Sequence, residues 1–155
     1  MKRVNFPALT TINGNGKFSS GGYQYATILS VNMPMLESAP SNTFYQQMYA
    51  KFTKFTHLKS VASDSFNNCN SLNGDEFPVL ETIEDNAFKY CYYLTNLVMP
   101  NVKTFYSNSF RDCARIKSIW FGDTSTWSNP NTKIGTHAAL ERVYLPKLDL
   151  IGGQF

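Results

Sequence analysis

Three cysteines and one histidine occupy the same place in a sequence repeat, and their residue types are those of a zinc site. Cys69, Cys91 and Cys113 follow one another at steps of 22 residues, and His137 takes the corresponding place one repeat later. Stacked repeats would set the four side chains in a column with neighbours ~5 Å apart, so that the column spans roughly 15 Å. Tetrahedral zinc needs every ligand within about 2.0–2.3 Å of one centre. The spacing therefore argues against a metal site built from this column.

The cysteines leave two other chemical interpretations open. Neighbours in the column are close enough for a disulfide, although the odd cysteine count and an expected reducing compartment favour thiols. A Cys113–His137 nucleophile–base pair is the enzymatic alternative, but both side chains would lie on the packed back of the repeat, where no oxyanion donors or pocket are evident. We therefore expect the cysteines to act as small buried hydrophobic residues.

The remaining polar clusters also favour structural roles. Glu81, Glu84 and Asp85 lie close together in a turn, where solvated carboxylates are the ordinary outcome. His57 lies just past a strand, in a position typical of a surface side chain. The glycine-rich stretch 14–22 follows no phosphate-loop pattern and contains no Gly-Lys-Ser/Thr. The sequence thus predicts no enzymatic activity, no cofactor and no metal.

A period of 22 residues organises the chain. Phe44, Phe66, Phe88 and Phe110 follow one another at this same step, in phase with the cysteines. A fixed period of this length is typical of a solenoid, in which each repeat packs on its neighbours. We expect one domain over residues 1–155 with about six to seven repeats, an insertion around 14–22 and an irregular repeat around 122–138.

Each repeat combines a strand with a turn. Leu97 and Met99 are two residues apart, which is the periodicity of a strand, and Pro100 then ends it. The spacing of three in Phe-x-x-Cys-x-x-apolar predicts a short helical or 3₁₀ turn on the convex side. Thr53 and Asp75 are polar where an inward aliphatic residue is expected. We therefore predict a locally altered strand near Asp75, or an Asp75 that turns outward after Gly74.

The segment from Ile83 to Leu94 contains Ala87, Phe88 and Cys91 in the spacing Ala-Phe-x-x-Cys-x-x-Leu. In this motif the chain resembles the BspA-like leucine-rich repeat family of bacterial surface antigens. The resemblance extends over nearly the whole chain. It implies a parallel solenoid with one short strand per turn on one face, and it fixes the architecture better than the function.

Composition narrows the classes of partner and the compartment. The net charge is only +3, and the basic residues are scattered, so nucleic acid is an unlikely main ligand. No apolar stretch approaches the 18 or so residues of a membrane span, and the N-terminus does not read as a signal peptide. The sequence predicts a cytoplasmic protein if Met1 is the native start, and otherwise a cell-surface part of a larger protein.

A partner would contact the outward residues of the strands, which the repeat does not dictate. Trp, Tyr and Arg carry most of the energy of protein interfaces, and they cluster in the C-terminal half of this predicted face. Phe52 is assigned to this face with one alternative, because a shift of the strand register by one residue would bury its side chain. The candidate partner-binding residues are Phe52, Lys54, Glu76, Asn96, Val98, Trp120, Arg142 and Tyr144.

These features predict a non-enzymatic protein-binding module. One hypothesis is a small intracellular binder that docks on a macromolecule and blocks it, as an inhibitor borne by a phage or mobile element would. The alternative is a fragment of a bacterial cell-surface adhesin that binds host or matrix proteins. The open edges of the solenoid also leave a homodimer through its ends as an alternative.

Overall fold

Short parallel strands recur along the chain at the predicted spacing. The structure, a computed structural model, describes residues 2–20, 28–106, 108–122 and 141–144. Over these ranges the chain forms a parallel β-solenoid of about five turns, which confirms the predicted fold class. The strands in chain order are β1 (Lys2–Asn5), β2 (Ile28–Asn32), β3 (Ser38–Ala39), β4 (Lys51–Phe52), β5 (Ser60–Val61), β6 (Thr82–Ile83), β7 (Asn96–Met99), β8 (Thr104–Phe105), β9 (Ser118–Phe121) and β10 (Arg142–Tyr144).

The strands form two faces of the solenoid. The front face consists of two three-stranded sheets, β1-β2-β4 and β7-β9-β10. The second face is the four-stranded sheet β3-β5-β6-β8, which adds another two-residue strand to four of the coils. The front face has one short strand per turn, as expected, except where no strand forms over residues 74–77, whereas the sheet on the other face was not predicted. Two-residue strands carry too little alternation to be recognised by periodicity.

Alternation in the front strands separates core from surface. Leu97 of β7 pairs with Ile119 of β9, and both side chains are buried. Val98 pairs with Trp120 between these inward positions, and both are exposed. Successive side chains of a strand point to opposite faces, so the buried residues determine which side chains point outward.

A stack of phenylalanine rings runs through the core. Phe44, Phe66, Phe88 and Phe110 are fully buried, and successive ring centroids lie 5.0, 5.5 and 5.3 Å apart. Phe18 adds a ring 5.7 Å from that of Phe44. The glycine-rich insertion is thus more than a loop, because residues 14–20 form the turn of the first coil. Gly21, Gly22 and the irregular repeat beyond Gly122 lie outside the described residues.

Backbone N–H groups in the turns that contain the stacked phenylalanines donate to carbonyl oxygens either of the next coil or of their own coil. The Phe66 N–H donates to Ala87 O in the next coil at 2.8 Å, whereas the Asn67 N–H donates back to Asp64 O at 3.2 Å. The same alternation recurs in neighbouring coils, with Phe44 donating to Ser65 O and Phe88 to Ser109 O, each at 2.8 Å. We call the face made by residues 14–20, 42–47, 64–69, 86–91 and 108–113 the turn face.

The turn face contains no helix within the described residues, so the predicted helical or 3₁₀ turns were wrong. Two residues of each turn have a positive φ, which interrupts a helix. They recur once per repeat in two series: Asn42, Asp64, Asn86 and Asn108, and then Gln46, Asn68, Tyr90 and Asp112. Asn and Asp tolerate this conformation better than most residues, and they supply six of the eight positions.

Each cysteine hydrogen-bonds to the preceding coil. The repeat position that holds the cysteines holds Gln47 in the coil before Cys69. In every one of these coils its side chain donates to the carbonyl oxygen of the stacked phenylalanine one coil earlier. The pairs are Gln47 Nε2 to Phe18 O at 2.7 Å, Cys69 Sγ to Phe44 O at 3.1 Å, Cys91 Sγ to Phe66 O at 3.0 Å and Cys113 Sγ to Phe88 O at 3.0 Å. Burial raises the pKa of the Cys113 thiol to about 12, and it also raises the pKa values of the Cys69 and Cys91 thiols. The thiols therefore keep the protons that they donate.

The front face is interrupted at the fourth coil. Gly74 has a φ of 100°, and a Cβ there would lie 2.2 Å from the carbonyl oxygen of Asn96, so no residue with a side chain fits without backbone movement. No strand forms over residues 74–77, and Asp75 is exposed. The predicted local alteration near Asp75 is confirmed.

Replacing one stacked ring should destabilise the whole fold. We expect Phe88→Ala to lower the free energy of unfolding by about 3–5 kcal/mol, because it removes a buried ring and leaves a cavity between two others. Tyr106→Ala is the matched control at an exposed aromatic residue, where about 0.5 kcal/mol is the ordinary scale. Equilibrium denaturation would contradict the ring stack if both variants lost less than about 1 kcal/mol.

The buried thiols should make stability fall at alkaline pH. Below the ordinary thiol pKa of 9.0 both states are protonated, whereas above it only the unfolded state ionises until the raised folded pKa is reached. Each such thiol then lowers the free energy of unfolding by up to ~1.4 kcal/mol per pH unit. Cys91→Ser keeps a donor but does not titrate, so its stability should fall less steeply than that of the parent between about pH 9 and 11. Parallel pH profiles from urea denaturation would contradict the buried ionisable thiol.

Candidate interaction surface

The C-terminal half of the front face carries a continuous row of exposed apolar side chains. Val98, Trp120 and Tyr144 occupy successive strands in register, and they are 41%, 44% and 59% exposed. The rings of Trp120 and Tyr144 meet edge to face, with centroids 6.3 Å apart. Large apolar side chains grouped in this way are the usual mark of a recognition surface.

A polar row borders these side chains. Asn96, Ser118 and Arg142 pair in register on the same three strands, two residues before the apolar row. Ser118 Oγ donates to Asn96 Oδ1 at 2.7 Å, while the Arg142 side chain is exposed. We call the surface formed by Asn96, Val98, Ser118, Trp120, Arg142 and Tyr144 the aromatic face. The structure thus brings together five of the eight candidate residues.

Phe52 does not belong to this surface. It pairs with the buried Val31, and its ring contacts those of Phe44 and Phe66 at 5.4 and 5.5 Å. It is half-buried against the core, so its assignment to the outward row was wrong. The shift of register by one residue, which the sequence left open, is what the structure contains, and Thr53 points outward instead.

Glu76 was also wrongly placed in the outward row. It is only 3% exposed, and its carboxylate accepts the backbone N–H groups of Asn73 at 3.0 Å and Gly74 at 2.8 Å. The carboxylate therefore caps the turn that interrupts the front face. A buried acid with two backbone donors is a structural element, since leaving those donors unpaired would cost stability.

Lys54 is exposed but lies apart from the aromatic face. Its Nζ lies 3.4 Å from Asp75 Oδ2 at the interruption of the front face, and both side chains are more than half exposed. An exposed ion pair of this kind contributes little stability. Lys54 thus borders the interruption, on the side away from Trp120.

The N-terminal half of the front face differs in chemistry from the aromatic face. Asn32 Nδ2 donates to Asn5 Oδ1 at 2.7 Å, and Thr53 Oγ1 donates to Asn32 Oδ1 at 2.9 Å. These side chains satisfy one another along the row. Among the described residues, the outward row of the N-terminal half is polar, whereas that of the C-terminal half contains Trp120 and Tyr144.

Two further rows were missed by the sequence analysis, although the period of the repeat could have revealed both. The first row alternates in charge beside the four-stranded sheet and consists of Glu37, Lys59, Glu81 and Lys103. Lys103 Nζ lies 2.8 Å from Glu81 Oε2. The Lys103 hydrogen bond and charge lower the pKa of Glu81. The second row lies two residues past the end of each turn and consists of Tyr49, Ser71, Tyr93 and Arg115.

The described residues contain little that could perform chemistry on a substrate. Within them, no group of three or more His, Cys, Asp and Glu side chains is arranged to hold a metal ion. Cys113 is buried against the Phe88 carbonyl, and its proposed base, His137, lies outside the described residues. Over the same ranges, no helix has the length and hydropathy needed to cross a membrane.

Comparison with known families identifies the repeat. The chain matches the family described as BspA type leucine-rich repeat region, with six copies over residues 37–150. A search of curated proteins found no match, and a search of solved structures found none either. The match covers most of the chain and includes the four stacked phenylalanines and the three cysteines. The protein therefore belongs to the BspA-type leucine-rich repeat family.

Proposed function

We propose that this protein is a non-enzymatic binding module that docks on a protein partner through its aromatic face and blocks the surface that it covers. The observation that carries the proposal is the row of Val98, Trp120 and Tyr144, exposed side by side on three paired strands. Leucine-rich repeats are scaffolds of this kind, because stacked coils present an extended regular surface.

The residue types of the aromatic face suit a protein interface. Trp, Tyr and Arg are enriched among the residues that dominate binding energy, and Trp120, Tyr144 and Arg142 supply one of each. Tyr and Trp also lose little side-chain entropy when they become buried. A partner would find these side chains already in position, since Leu97 and Ile119 anchor the strands in the core.

The buried thiols support a reducing compartment for this activity. Each cysteine donates its S–H proton to a phenylalanine carbonyl, and a disulfide would remove those donors. Thiols persist in the cytosol, whereas exported proteins meet oxidising conditions. We therefore extend the proposal to an intracellular partner, and an adhesin that binds surface or matrix proteins is the rival outcome.

Removal of the two aromatic side chains should abolish binding without affecting the fold. Tagged protein is used to capture partners from lysate of the native or host cell, and each captured protein is purified and titrated directly. We expect Trp120→Ala with Tyr144→Ala to weaken binding by at least ~30-fold, which corresponds to about 2 kcal/mol. The free energy of unfolding should change by less than about 1 kcal/mol, because both side chains are exposed.

The matched control is Asn5→Ala with Asn32→Ala, on the polar half of the same face, which should leave affinity unchanged. Equal affinity of the aromatic double variant, or a large loss of stability with intact binding, would contradict the proposal. Binding only to cell-surface or matrix proteins would favour the adhesin. Self-association through the solenoid ends is checked in the same experiment, since tagged chains would capture untagged copies.

A further inference from the structure

A cleft formed by residues that follow the turns belongs to neither the turn face nor the aromatic face. It has a volume of about 480 Å³ and lies between Tyr49 and Tyr93. These tyrosines are 66% and 55% exposed. The lining residues are Met48, Tyr49, Asn70, Ser71, Asn73 and Tyr93.

The repeat itself creates this cleft. Tyr49, Ser71 and Tyr93 occupy the same position in three successive coils, and only the middle coil has a small side chain there. Two coil steps separate the tyrosines, which corresponds to about 10 Å at the strand spacing. The gap is therefore one side chain thick, with an aromatic residue on each side.

The walls and the floor of the cleft are held by neighbouring coils. The guanidinium of Arg115, which belongs to the coil after Tyr93, lies 4.7 Å from the ring centroid of Tyr93. Ser71 belongs to the coil before Tyr93. Ser71 Oγ donates to Met48 O at 3.3 Å, and Asn70 Oδ1 accepts the Tyr92 N–H at 3.2 Å. The site is thus preformed, with neutral amides and a hydroxyl between two phenol rings.

The lining chemistry discriminates between classes of ligand. The lining residues named above include no charged side chain, so an anionic or cationic ligand would find no counter-charge among them. A purely apolar ligand would cover the polar side chains of Asn70 and Asn73 without offering them hydrogen bonds, which is costly. A sugar ring has apolar C–H faces for the tyrosines and hydroxyl groups for the amides. The volume is also within the range of small-molecule sites.

We propose that the cleft between Tyr49 and Tyr93 binds a neutral saccharide, with one sugar ring between the two phenol rings and its hydroxyl groups on Asn70, Ser71 and Asn73. This site does not depend on the proposed protein partner, because none of its residues belongs to the aromatic face. A single sugar ring between two side chains supports only weak affinity, so we expect dissociation constants in the millimolar range.

The test is an NMR titration of the isotope-labelled protein with lactose, maltose, cellobiose and N,N′-diacetylchitobiose. We expect at least one of these sugars to shift the amide resonances of residues 48–49, 70–73 and 93 in a saturable manner. Ser71→Tyr should weaken this binding by at least about tenfold, because it fills the gap with the side chain that both flanking coils carry at this position. Trp120→Ala, on the front face, should leave the saccharide affinity unchanged.

The midpoint of urea denaturation shows whether Ser71→Tyr remains folded, and Tyr93→Ala provides a second variant that opens the cleft instead of filling it. Both variants should lose saccharide binding. Absence of saturable shifts with all four sugars at millimolar concentration would overturn the proposal. So would undiminished binding by the two folded variants, or shifts produced by an aromatic dipeptide and by none of the sugars.

Discussion

The hydrogen bonds between successive turns are the constraint on which the rest of the structure depends. In the turns up to residues 86–91, alternate N–H groups bond to the next coil and the others bond within their own coil, so that the phenylalanine of one turn is held directly beside that of the next. The rings stack at this spacing, and the cysteine thiols bond to the carbonyls of the same phenylalanines. A coil that changed the length of its turn would break all three sets of contacts, which explains why the interior repeats so closely. Residues that point outward are free of this constraint, and the features that distinguish one coil from another are found there.

The sequence predicted what depends on periodicity alone. The buried phenylalanines and cysteines, the alternation around Leu97 and Met99, and the disturbance near Asp75 all follow from it. It could not predict the conformation of the turns, because a spacing of three residues fits a helical turn and a turn with two positive φ angles equally well. Phe52 was misassigned because Phe52 and Phe55 offer two apolar registers, and only contacts with Phe44 and Phe66 choose between them. Glu76 was misassigned because the positive φ of Gly74 ends the strand geometry on which its outward direction depended.

Two outward surfaces of different chemistry result from differences between the coils. On the front face, the interruption at Gly74 separates a polar half, whose Asn and Thr side chains bond to one another, from a half with Trp120 and Tyr144 exposed. Just past the turns, the small Ser71 between two tyrosines opens a cleft lined by neutral groups. One surface has the residue types of a protein interface and the other those of a saccharide site. The scaffold can carry both because neither changes a core residue.

The measurement that tests the central constraint most directly is the detection of scalar couplings through hydrogen bonds by NMR. The account predicts cross-peaks that join the amide nitrogens of Phe44, Phe66 and Phe88 to the carbonyl carbons of Ser65, Ala87 and Ser109 in the next coil. Cross-peaks that instead join each of these nitrogens to a carbonyl four residues earlier would show helical turns. Such a result would contradict the alternating ladder and, with it, the assignment of which side chains are fixed and which are free.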